Sequence, residues 1–285
     1  MTARRLDAAS LAAGTADRPR YDRDRHGVGI VHLGIGAFHR AHQAVYTDDA
    51  LAASGGDWRI RGVSLRGTDV AETLNPQDGL YTLLVKGEGG TQARIIGSVA
   101  GVLAGSIAPE AVRDVLVQPE TRIVSITVTE KAYGIDRASG TVDLHHPAVG
   151  HDLAHPEAPT GTIGLIVEAL RRRRLAGTAP FTVLCCDNLP KNGALLRSGT
   201  LDFAGRIDAG LRDWIAEAVP FPSTMVDRIT PAATDATFAL AERETGLADR
   251  AAVETEPFSQ WVIEDRFATG RPDWEAGGAI LVDDV

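Results

Sequence analysis

Cysteine, long apolar runs and an excess of positive charge are all scarce in this chain of 285 residues. The two cysteines, Cys185 and Cys186, are adjacent, and neighbouring residues of a strand point to opposite faces. We therefore predict small buried residues of a cytoplasmic protein rather than a structural disulfide. The sequence contains no run of about 18 apolar residues, the length that would span a membrane. Residues 1–25 lack the apolar core of a secretory signal.

The formal net charge is −9, from 29 Lys and Arg against 38 Asp and Glu. Such a balance provides no basic face for nucleic acid or anionic lipid, although it tolerates a local cationic pocket. We therefore do not expect nucleic acid as a partner. Apolar residues make up 44% of the chain and charged residues 24%, which is typical of a globular protein with a packed core.

A strand, helix and strand follow one another near the N-terminus. The apolar run Val28–Leu33 predicts a buried strand, residues 37–53 a helix, and the alternating residues 58–65 a second strand. Connections of this type are right-handed and make the two strands parallel. The turn after the first strand is therefore expected at the carboxyl edge of the sheet, where doubly wound α/β folds bind ligands.

The remaining elements extend this α/β pattern. Residues 80–85 and 92–99 flank a glycine-rich turn and predict an antiparallel hairpin, so we expect a mixed but mostly parallel sheet. Residues 145–160, rich in His, Pro and Gly, are interpreted as a surface loop. Further strands are predicted at 122–129 and 181–186, and further helices at 109–117, 162–175, 208–218 and 233–245.

The turn Gly34-Ile-Gly36 is the first candidate site. Glycines between a strand and a helix leave backbone N–H groups directed at a pyrophosphate, which indicates a dinucleotide site. The usual fingerprint has a third glycine three residues later, where this chain has His39. An ordinary strand-to-helix turn of another α/β protein remains the alternative.

Two residues after the second predicted strand bear on the choice of cofactor. Asp69 could accept hydrogen bonds from a ribose 2′-hydroxyl and repel a 2′-phosphate, which favours NAD. Arg66 lies in the same loop and could instead pair with the 2′-phosphate of NADP. Asp69 also lies farther from Gly34 than the usual separation of about 20 residues, so the preference for NAD leaves NADP open.

His39 and His42 have a spacing that could hold a metal on one helix face. A metal needs further ligands, and the other histidines of the chain show no spacing that selects a coordination geometry. We therefore predict no metal site. Both imidazoles are expected to orient the turn through hydrogen bonds.

Polar side chains follow two other predicted strands. Glu130 and Lys131 follow one, and the next is followed by Asp187, Asn188, Lys191 and Asn192. These strand ends should converge on one crevice. A carboxylate there could pass protons, and an asparagine amide could donate to an oxygen that gains negative charge during carbonyl reduction. The alternative is that these residues are only helix caps and loop residues.

Five ordered blocks resemble the mannitol dehydrogenase family of polyol-specific long-chain dehydrogenases. The blocks are Gly34-Ile-Gly-Ala-Phe-His-Arg-Ala-His-Gln43, Thr129-Glu-Lys-Ala-Tyr133, Cys186-Asp-Asn-Leu-Pro-Lys-Asn-Gly193, Met225-Val-Asp-Arg-Ile-Thr-Pro231 and Glu256-Pro-Phe-Ser-Gln-Trp-Val262. The resemblance implies a Rossmann domain and zinc-independent hydride transfer between a nicotinamide cofactor and a polyol or keto sugar, of the mannitol to fructose type.

The resemblance also implies a role for particular residues. Gly34, Gly36, Phe38, His39 and Arg40 match the positions that hold the cofactor's phosphates, and Asp69 matches the one at its adenosine ribose.

Catalytic and substrate positions follow in the same way. Asn188 matches the asparagine that helps to polarise the reacting oxygen, and Glu130 matches a glutamate linked to proton movement. Asp227 and Arg228 match residues that border the substrate cleft.

Family members are longer than this chain and carry a mostly helical C-terminal domain that opens with a lysine general base. We expect that lysine beyond Val285, because neither Lys131 nor Lys191 matches its position. The resemblance therefore implies an N-terminal lead-in at residues 1–27, expected to be loose, a dinucleotide-binding domain at 28–220, and a linker with the start of the substrate domain at 221–285. A catalytically incomplete NAD(H)-binding fragment is the alternative function, and fructuronate, mannonate and mannitol 1-phosphate are alternative substrates.

Overall fold

A computed structural model describes residues 3–128 and 130–285, without the side chains of Glu130 and Lys131. Within these residues the strands are β1 Val28–Leu33, β2 Arg59–Ser64, β3 Tyr81–Gly87, β4 Gly90–Ile96, β5 Val99–Ala104, β6 Ile123–Ile126, β7 Thr182–Cys185, β8 Thr224–Asp227, β9 Val253–Thr255, β10 Gln260–Glu264 and β11 Ile280–Val282. The α-helices are α1 Ala37–Ala41, α2 Gln43–Ser54, α3 Asp69–Leu74, α4 Pro109–Val117, α5 Pro147–Ala154, α6 Thr162–Leu175, α7 Asn192–Ile207, α8 Ala209–Ala218 and α9 Asp235–Thr245.

Five parallel strands form the central sheet, in the order β5-β2-β1-β6-β7. The chain moves outward from β1 in one direction through β2 and β5, and in the other through β6 and β7. The strand order therefore reverses at β1, and a crevice at that reversal is the ordinary ligand site of such a sheet. The predicted doubly wound α/β fold is confirmed.

The antiparallel hairpin exists, but it lies outside the central sheet. Strands β3 and β4 pair antiparallel, and β9 adds to β3 in a separate three-stranded sheet. The expectation of one mixed sheet was wrong, because the chain leaves the hairpin and returns to the central sheet as β5, a strand that we did not predict. A third sheet, β11-β10-β8, completes the strands of the described residues.

Four helical segments also differ from expectation, and one of them is helix α3, which was not predicted. The predicted loop 145–160 contains helix α5, which begins with Pro147 at a position where proline suits a helix. Helix α7 was not predicted. The helix expected at residues 37–53 is divided at His42, whose φ of −121° and ψ of −95° lie outside the helical region. The break gives the residues after β1 two short helices with different directions.

Residues before β1 are packed against the body, so the loose lead-in expected there was wrong. Leu6 is fully buried in a cluster with Leu80, Ile95 and Leu247. Arg5 also forms a parallel backbone bridge to Ala248. Burial of a leucine side chain is worth about 2 kcal/mol, which fixes this segment against β3, β4 and the stretch after α9.

The main apolar core joins the central sheet to the C-terminal strands. Ile30 and Ile60 of the central sheet belong to the same buried cluster as Trp261 of β10 and Trp274. Both tryptophans are fully buried. Strand β10 therefore packs against the central sheet, and the end of its neighbour β8 supplies one wall of a crevice at that sheet. None of the described helices is long and apolar enough to cross a membrane.

Candidate functional site

A cleft of about 510 Å³ opens at the carboxyl ends of β1, β6 and β7, with the end of β8 opposite. This is the point at which the strand order reverses. The residues that line it are Gly34, Gly36, Ala37, Phe38, His39, Thr127, Val128, Cys186, Asp187, Asn188, Val226, Asp227 and Arg228. The structure thus brings together most of the predicted site residues, from three separate segments. A larger cavity, of about 680 Å³, is lined by Lys191 and Arg197 but by none of the residues predicted to bind cofactor or substrate.

Gly34 is the turn residue that only glycine can fill. Its φ is +97°, and a Cβ atom there would lie 2.0 Å from the carbonyl oxygen of Thr127. Its N–H donates to the Val63 carbonyl at 2.9 Å, which ties the turn to β2. The glycine therefore lets β1 end against β6 without a collision.

Gly36 has a different reason to be glycine. Its φ of −92° suits any residue, and a Cβ atom there would meet only the Gly34 carbonyl oxygen, at 3.8 Å. Gly36 precedes α1, and no side chain caps that helix. The first N–H groups of a helix have no partner within the helix. They are thus available to a ligand, and Gly36 itself lines the cleft, so a side chain at this position would take up part of the cleft volume.

His39, which occupies the place of the third glycine, is buried against His32 of β1. The two rings stack with centroids 3.4 Å apart and planes 18° apart. Ser125 and Thr127 hold the two nitrogens of His32 at 2.8 and 2.7 Å. Both nitrogens of His39 are buried without a hydrogen-bond partner among the described residues.

These imidazoles are neutral at pH 7. Burial lowers the pKa of His32 to about 3. Burial also moves the pKa of His39 well below its usual value, and the neighbouring His32 lowers it further. A protonated His39 would lie next to the Arg40 cation with little solvent to stabilise it. The turn therefore presents a neutral, closely packed wall beneath the cleft.

His42 and Gln43 extend this buried polar group. His42 Nε2 donates to the Gln260 carbonyl at 2.8 Å, and burial lowers the pKa of His42 to about 4. The side-chain oxygen of Gln43 accepts from the Ser125 hydroxyl at 2.9 Å. The prediction that histidine side chains orient the turn through hydrogen bonds is thus confirmed at His42, which ties the start of α2 to β10. It was wrong at His39, whose ring stacks on His32 and makes no hydrogen bond within the described residues.

Arg40 does not face the cleft, although it was predicted to hold phosphates. Its guanidinium donates to the carbonyls of Ala251 and, at 3.3 Å, Gly36, and it lies over the Tyr81 ring. Only 9% of the residue is exposed. The positive charge therefore stabilises the packing of α1 against β3 and the residues before β9, while its field can still reach the cleft.

Arg228, by contrast, is at the cleft. Its guanidinium donates to the carbonyls of Ala41, at 2.6 Å, and Glu256, at 3.2 Å, while its buried Nε has no partner among the described residues. The neighbouring Asp227 is exposed at the cleft wall. The end of β8 thus supplies one carboxylate and one partly engaged cation.

Asp187 is the titratable carboxylate of the cleft. Burial raises its pKa to about 6. The Tyr133 hydroxyl donates to its Oδ2, and the Val128 N–H lies 3.3 Å from the same oxygen; both bonds favour the ionised form. Asn188 follows it, exposed and on the cleft lining, so its amide is free to meet a ligand.

Asn192 positions this loop, and sequence reasoning did not identify it as more than a polar residue after a strand. Its amide nitrogen donates to the carbonyls of Asp187 at 2.8 Å and Thr224 at 3.0 Å, and its oxygen accepts from the Thr224 N–H at 2.9 Å. Lys191 before it has a φ of +50°. The amide therefore joins the β7 loop to β8, which the sequence alone could not indicate because the partner lies 32 residues away.

The remaining predicted residues lie at or beyond the rim. Asp69 opens α3, exposed after β2, and Arg66 is exposed in the same connection; neither lines the cleft itself. Since β2 is the neighbour of β1, both lie on the side of the Gly34 turn. Glu130 starts a short 3-10 turn, Glu130–Tyr133, and its side chain lies outside the described part of the chain.

Comparison with known proteins gives one family. The model of the mannitol dehydrogenase Rossmann domain matches residues 28–276. D-mannonate oxidoreductase of Escherichia coli K12 is 48% identical over 272 residues, or 94% of this chain and 56% of that protein. Polyol:NADP oxidoreductase of Gluconobacter oxydans 621H is 45% identical over 272 residues, with the same shares of the two chains.

A solved structure matches closely as well. Mannitol 2-dehydrogenase of Pseudomonas fluorescens, in a ternary complex with NAD and D-mannitol, superposes with a TM-score of 0.95 at 44% sequence identity. The match covers 99% of this chain and 58% of that one. The chain thus spans somewhat more than half the length of the relatives that it matches.

Proposed function

Because the chain belongs to the mannitol dehydrogenase family, we propose that it binds a nicotinamide cofactor in the cleft at β1 and serves an oxidoreductase that moves a hydride between that cofactor and a polyol or keto sugar. The observation that carries the proposal is the arrangement of Gly34 and Gly36 before an uncapped helix, at the reversal of the strand order. A polyol oxidised at a secondary alcohol is the substrate class, with mannitol, mannonate and mannitol 1-phosphate as candidates.

The residues present fit the phosphates of a dinucleotide. Gly36 lines the cleft directly before α1, and its lack of a side chain leaves more of the cleft open there. Backbone N–H groups and the positive end of a helix bind phosphate without any side chain. Phe38 and His39 line the same wall, and Arg40 adds positive charge from beneath it.

For the adenosine end, the support is positional. Asp69 lies after the strand next to β1 and, with its carboxylate exposed, could accept hydrogen bonds from a ribose. Arg66 in the same connection could pair with a 2′-phosphate. We propose NAD as the preferred cofactor and NADP as the alternative, which the name of the Gluconobacter oxydans relative also supports.

At the reacting end, the bound nicotinamide would supply the hydride acceptor or donor. We propose that Asn188, which lines the cleft, donates its amide to the substrate oxygen, where charge develops as a carbonyl is reduced. For Asp227 and Arg228, which line the opposite wall, we propose that they hold the hydroxyl groups of a polyol. Glu130 is proposed for proton movement on its match to the family alone. The domain division at residue 220, and action in the cytoplasm without nucleic acid, also remain predictions.

A second candidate function is cofactor binding without turnover. No lysine lines the cleft among the side chains that the structure describes: Lys86 pairs with Glu254 at 2.6 Å, and Lys191 lines the other cavity. Proton removal from a polyol hydroxyl needs a base within hydrogen-bond reach. Among the described lining residues, Asp187 has a carboxyl whose pKa burial raises, and the Tyr133 hydroxyl occupies one of its oxygens.

Titration and turnover separate the two candidates. NADH and NADPH are titrated into the protein and followed by nicotinamide fluorescence, and NADH formation from NAD is followed at 340 nm with mannitol, sorbitol, arabinitol and mannonate. Saturable fluorescence with turnover supports the oxidoreductase. Saturable fluorescence without turnover supports the binding module. No saturable change with either cofactor contradicts both candidates.

Gly36→Val tests the site itself. Since the backbone at Gly36 suits any residue, we expect the variant to fold normally and to bind NADH at least about tenfold more weakly, because overlap with a bound group typically costs 1–3 kcal/mol. The matched control is Gly89→Val in the β3–β4 turn, where a Cβ atom meets nothing within 4 Å. Equal affinity in the two variants, with both folded, would place the cofactor elsewhere.

A further inference from the structure

A second polar cavity lies toward the amino end of β2, away from the cleft. It has a volume of about 360 Å³ and is built around Arg23, Arg59 and Arg61. Arg59 and Arg61 lie in the first half of β2, whereas the cofactor cleft lies past the carboxyl ends of the strands. The two sites share no lining residue.

Alternation along β2 places two of these guanidiniums on one face. Arg59 and Arg61 are two residues apart and therefore point the same way, while Ile60 between them is fully buried on the other face. Arg23 reaches the same cavity from the segment before β1 and is fixed by bonds to the carbonyls of Gly97, at 2.9 Å, and Val99, at 3.2 Å. Three cations thus converge from two segments far apart in sequence.

Gly101 of β5 makes room for this arrangement. It pairs with Arg61 in the sheet and has a φ of +138°. A Cβ atom at this position would lie 2.5 Å from Nη1 of Arg61. The Arg61 guanidinium thus rests against bare backbone, and a glycine with an unusual conformation is what allows it to.

The guanidiniums have more donors than acceptors. The buried Nε of Arg59 has no hydrogen-bond partner among the described residues, and one of its terminal nitrogens donates to the Arg23 carbonyl at 3.2 Å. Arg61 has no side-chain hydrogen bond or ion pair to any residue that the structure describes. Asp24 and Asp78 also line the cavity but make no ion pair with the three arginines within the described residues.

The local electrostatics favour an anion. Burial lowers the pKa of all three guanidiniums, and the cation of Arg59 lowers the pKa of Arg23 and Arg61 further, while the carboxylates of Asp24 and Asp78 offset part of this lowering. Partly desolvated cations that repel one another are stabilised by an oxyanion, and the planar fork of arginine matches the oxygens of phosphate in a bidentate manner.

We propose that Arg23, Arg59 and Arg61 form a second anion-binding site, which takes a phosphate group, either free or as a phosphomonoester. The site is independent of the cofactor cleft. A bound phosphate would join the segment before β1 to β2 and so stabilise the folded protein by mass action.

Calorimetric titration with inorganic phosphate tests the proposal, with thermal unfolding in parallel. We expect saturable binding and a Tm that rises with phosphate but not with potassium chloride of equal ionic strength. Arg61→Gln should weaken binding by about tenfold or more through the loss of a charged hydrogen bond. Arg25→Gln, an equal change of charge at an exposed neighbour outside the cavity, should bind like the wild type.

Two further measurements distinguish phosphate binding at these arginines from phosphate binding in the cofactor cleft and from a loss of folding in the variant. Since the cofactor cleft could also bind phosphate, Gly36→Val is titrated, and we expect its phosphate affinity to be unchanged. In buffer without phosphate, Arg61→Gln should be at least as stable as the wild type, because repulsion is relieved. Loss of phosphate binding in Gly36→Val, or equal binding by Arg61→Gln and the wild type, would overturn the proposal.

Glycerol 3-phosphate distinguishes the source of the phosphate group. Tighter binding than inorganic phosphate, lost in Arg61→Gln, assigns the site to a phosphorylated metabolite. Weaker binding assigns it to the free ion. Failure of both probes to bind overturns the site while leaving the nicotinamide proposal, which rests on other residues, intact.

Discussion

The two turns that build the cleft differ in how they use polar residues. The end of β1 and the turn after it, together called the first turn, bury His32, His39 and His42 as neutral rings, with pKa values lowered by burial. The turn after β7 holds Asp187, whose pKa burial raises to about 6, next to the exposed Asn188.

Burial favours the neutral form on both sides, so it lowers the pKa of the imidazoles and raises the pKa of the carboxyl. In the first turn, it removes charge and leaves the backbone N–H groups of α1 as the polar feature of the wall. In the second, it raises the pKa of the Asp187 carboxyl to about 6, so that this group gains or loses its proton near physiological pH. The first wall offers a ligand its shape and the backbone N–H groups of α1. The second carries the Asp187 carboxyl, whose charge changes with pH. The two walls should thus contribute to stability with opposite dependence on pH, and each contribution can be measured separately.

The largest effect is expected from Gly34→Ala. The substitution forces a left-handed backbone on alanine and places its Cβ 2.0 Å from the Thr127 carbonyl oxygen. We expect the free energy of unfolding, measured by urea denaturation, to fall by about 3 kcal/mol. Gly177→Ala is the control, because Gly177 has a φ of +67° and nothing within 4 Å of a Cβ. It should lose only about 1 kcal/mol; equal losses would mean that the overlap at Gly34 costs nothing.

The first turn should be sensitive to acid. The pKa of His32 is about 3 in the folded protein and near 6.5 in the unfolded chain, which therefore takes up the proton first. The stability present above pH 6.5 is lost as the pH falls, by about 2 kcal/mol between pH 7 and pH 5 for this residue.

His32→Gln, which keeps a hydrogen-bonding side chain, should remove that part of the acid sensitivity. Urea denaturation at several pH values measures it, with the exposed His145→Gln as control. If the stability of both variants depends on pH as steeply as that of the wild type, His32 is not the source of the acid sensitivity.

The second turn should show the reverse. The pKa of Asp187 is raised to about 6 from near 3.9 in the unfolded chain, so the folded protein holds the proton more tightly. The stabilisation is present below pH 4 and lost as the pH rises through 6. Partial exposure reduces it to about 1.5 kcal/mol. Asp187→Asn should gain stability over the wild type by this amount between pH 4 and pH 7.

Tyr133→Phe sharpens this test, because the Tyr133 hydroxyl favours the ionised form of Asp187. Its loss should move the titration of Asp187 to higher pH, as measured by carboxyl NMR. A shift to lower pH would show that the hydroxyl does not stabilise the carboxylate.

Much of this site could be predicted from local sequence. The family predicted from five blocks is confirmed by the match over residues 28–276. Gly34 and Gly36 stand between a β-branched run and a helical composition, and both the strand β1 and the turn after it follow that pattern. Asn188 was predicted at a strand end and lies on the cleft. These features depend on backbone conformation and on apolar periodicity, which neighbours in sequence determine.

Side-chain partners from distant segments could not be predicted. Arg40 was expected at a phosphate, but the Ala251 carbonyl, 211 residues away, accepts from it. The same limit applies to Asn192, whose partner Thr224 lies on β8. The strand β5 was missed because its small residues, Val99–Ala104, carry no alternation, although they complete the central sheet.

What the sequence determined by itself is thus the doubly wound fold, its glycine turn and its family, since these arise from glycine conformation and the burial pattern of short segments. The tertiary structure alone decided which polar groups are buried. Burial sets the charge of His32, His39 and Asp187, and it depends on elements that reach the site from elsewhere in the chain. The tertiary structure likewise brought Arg23 next to Arg59 and Arg61, so that three cations share one cavity.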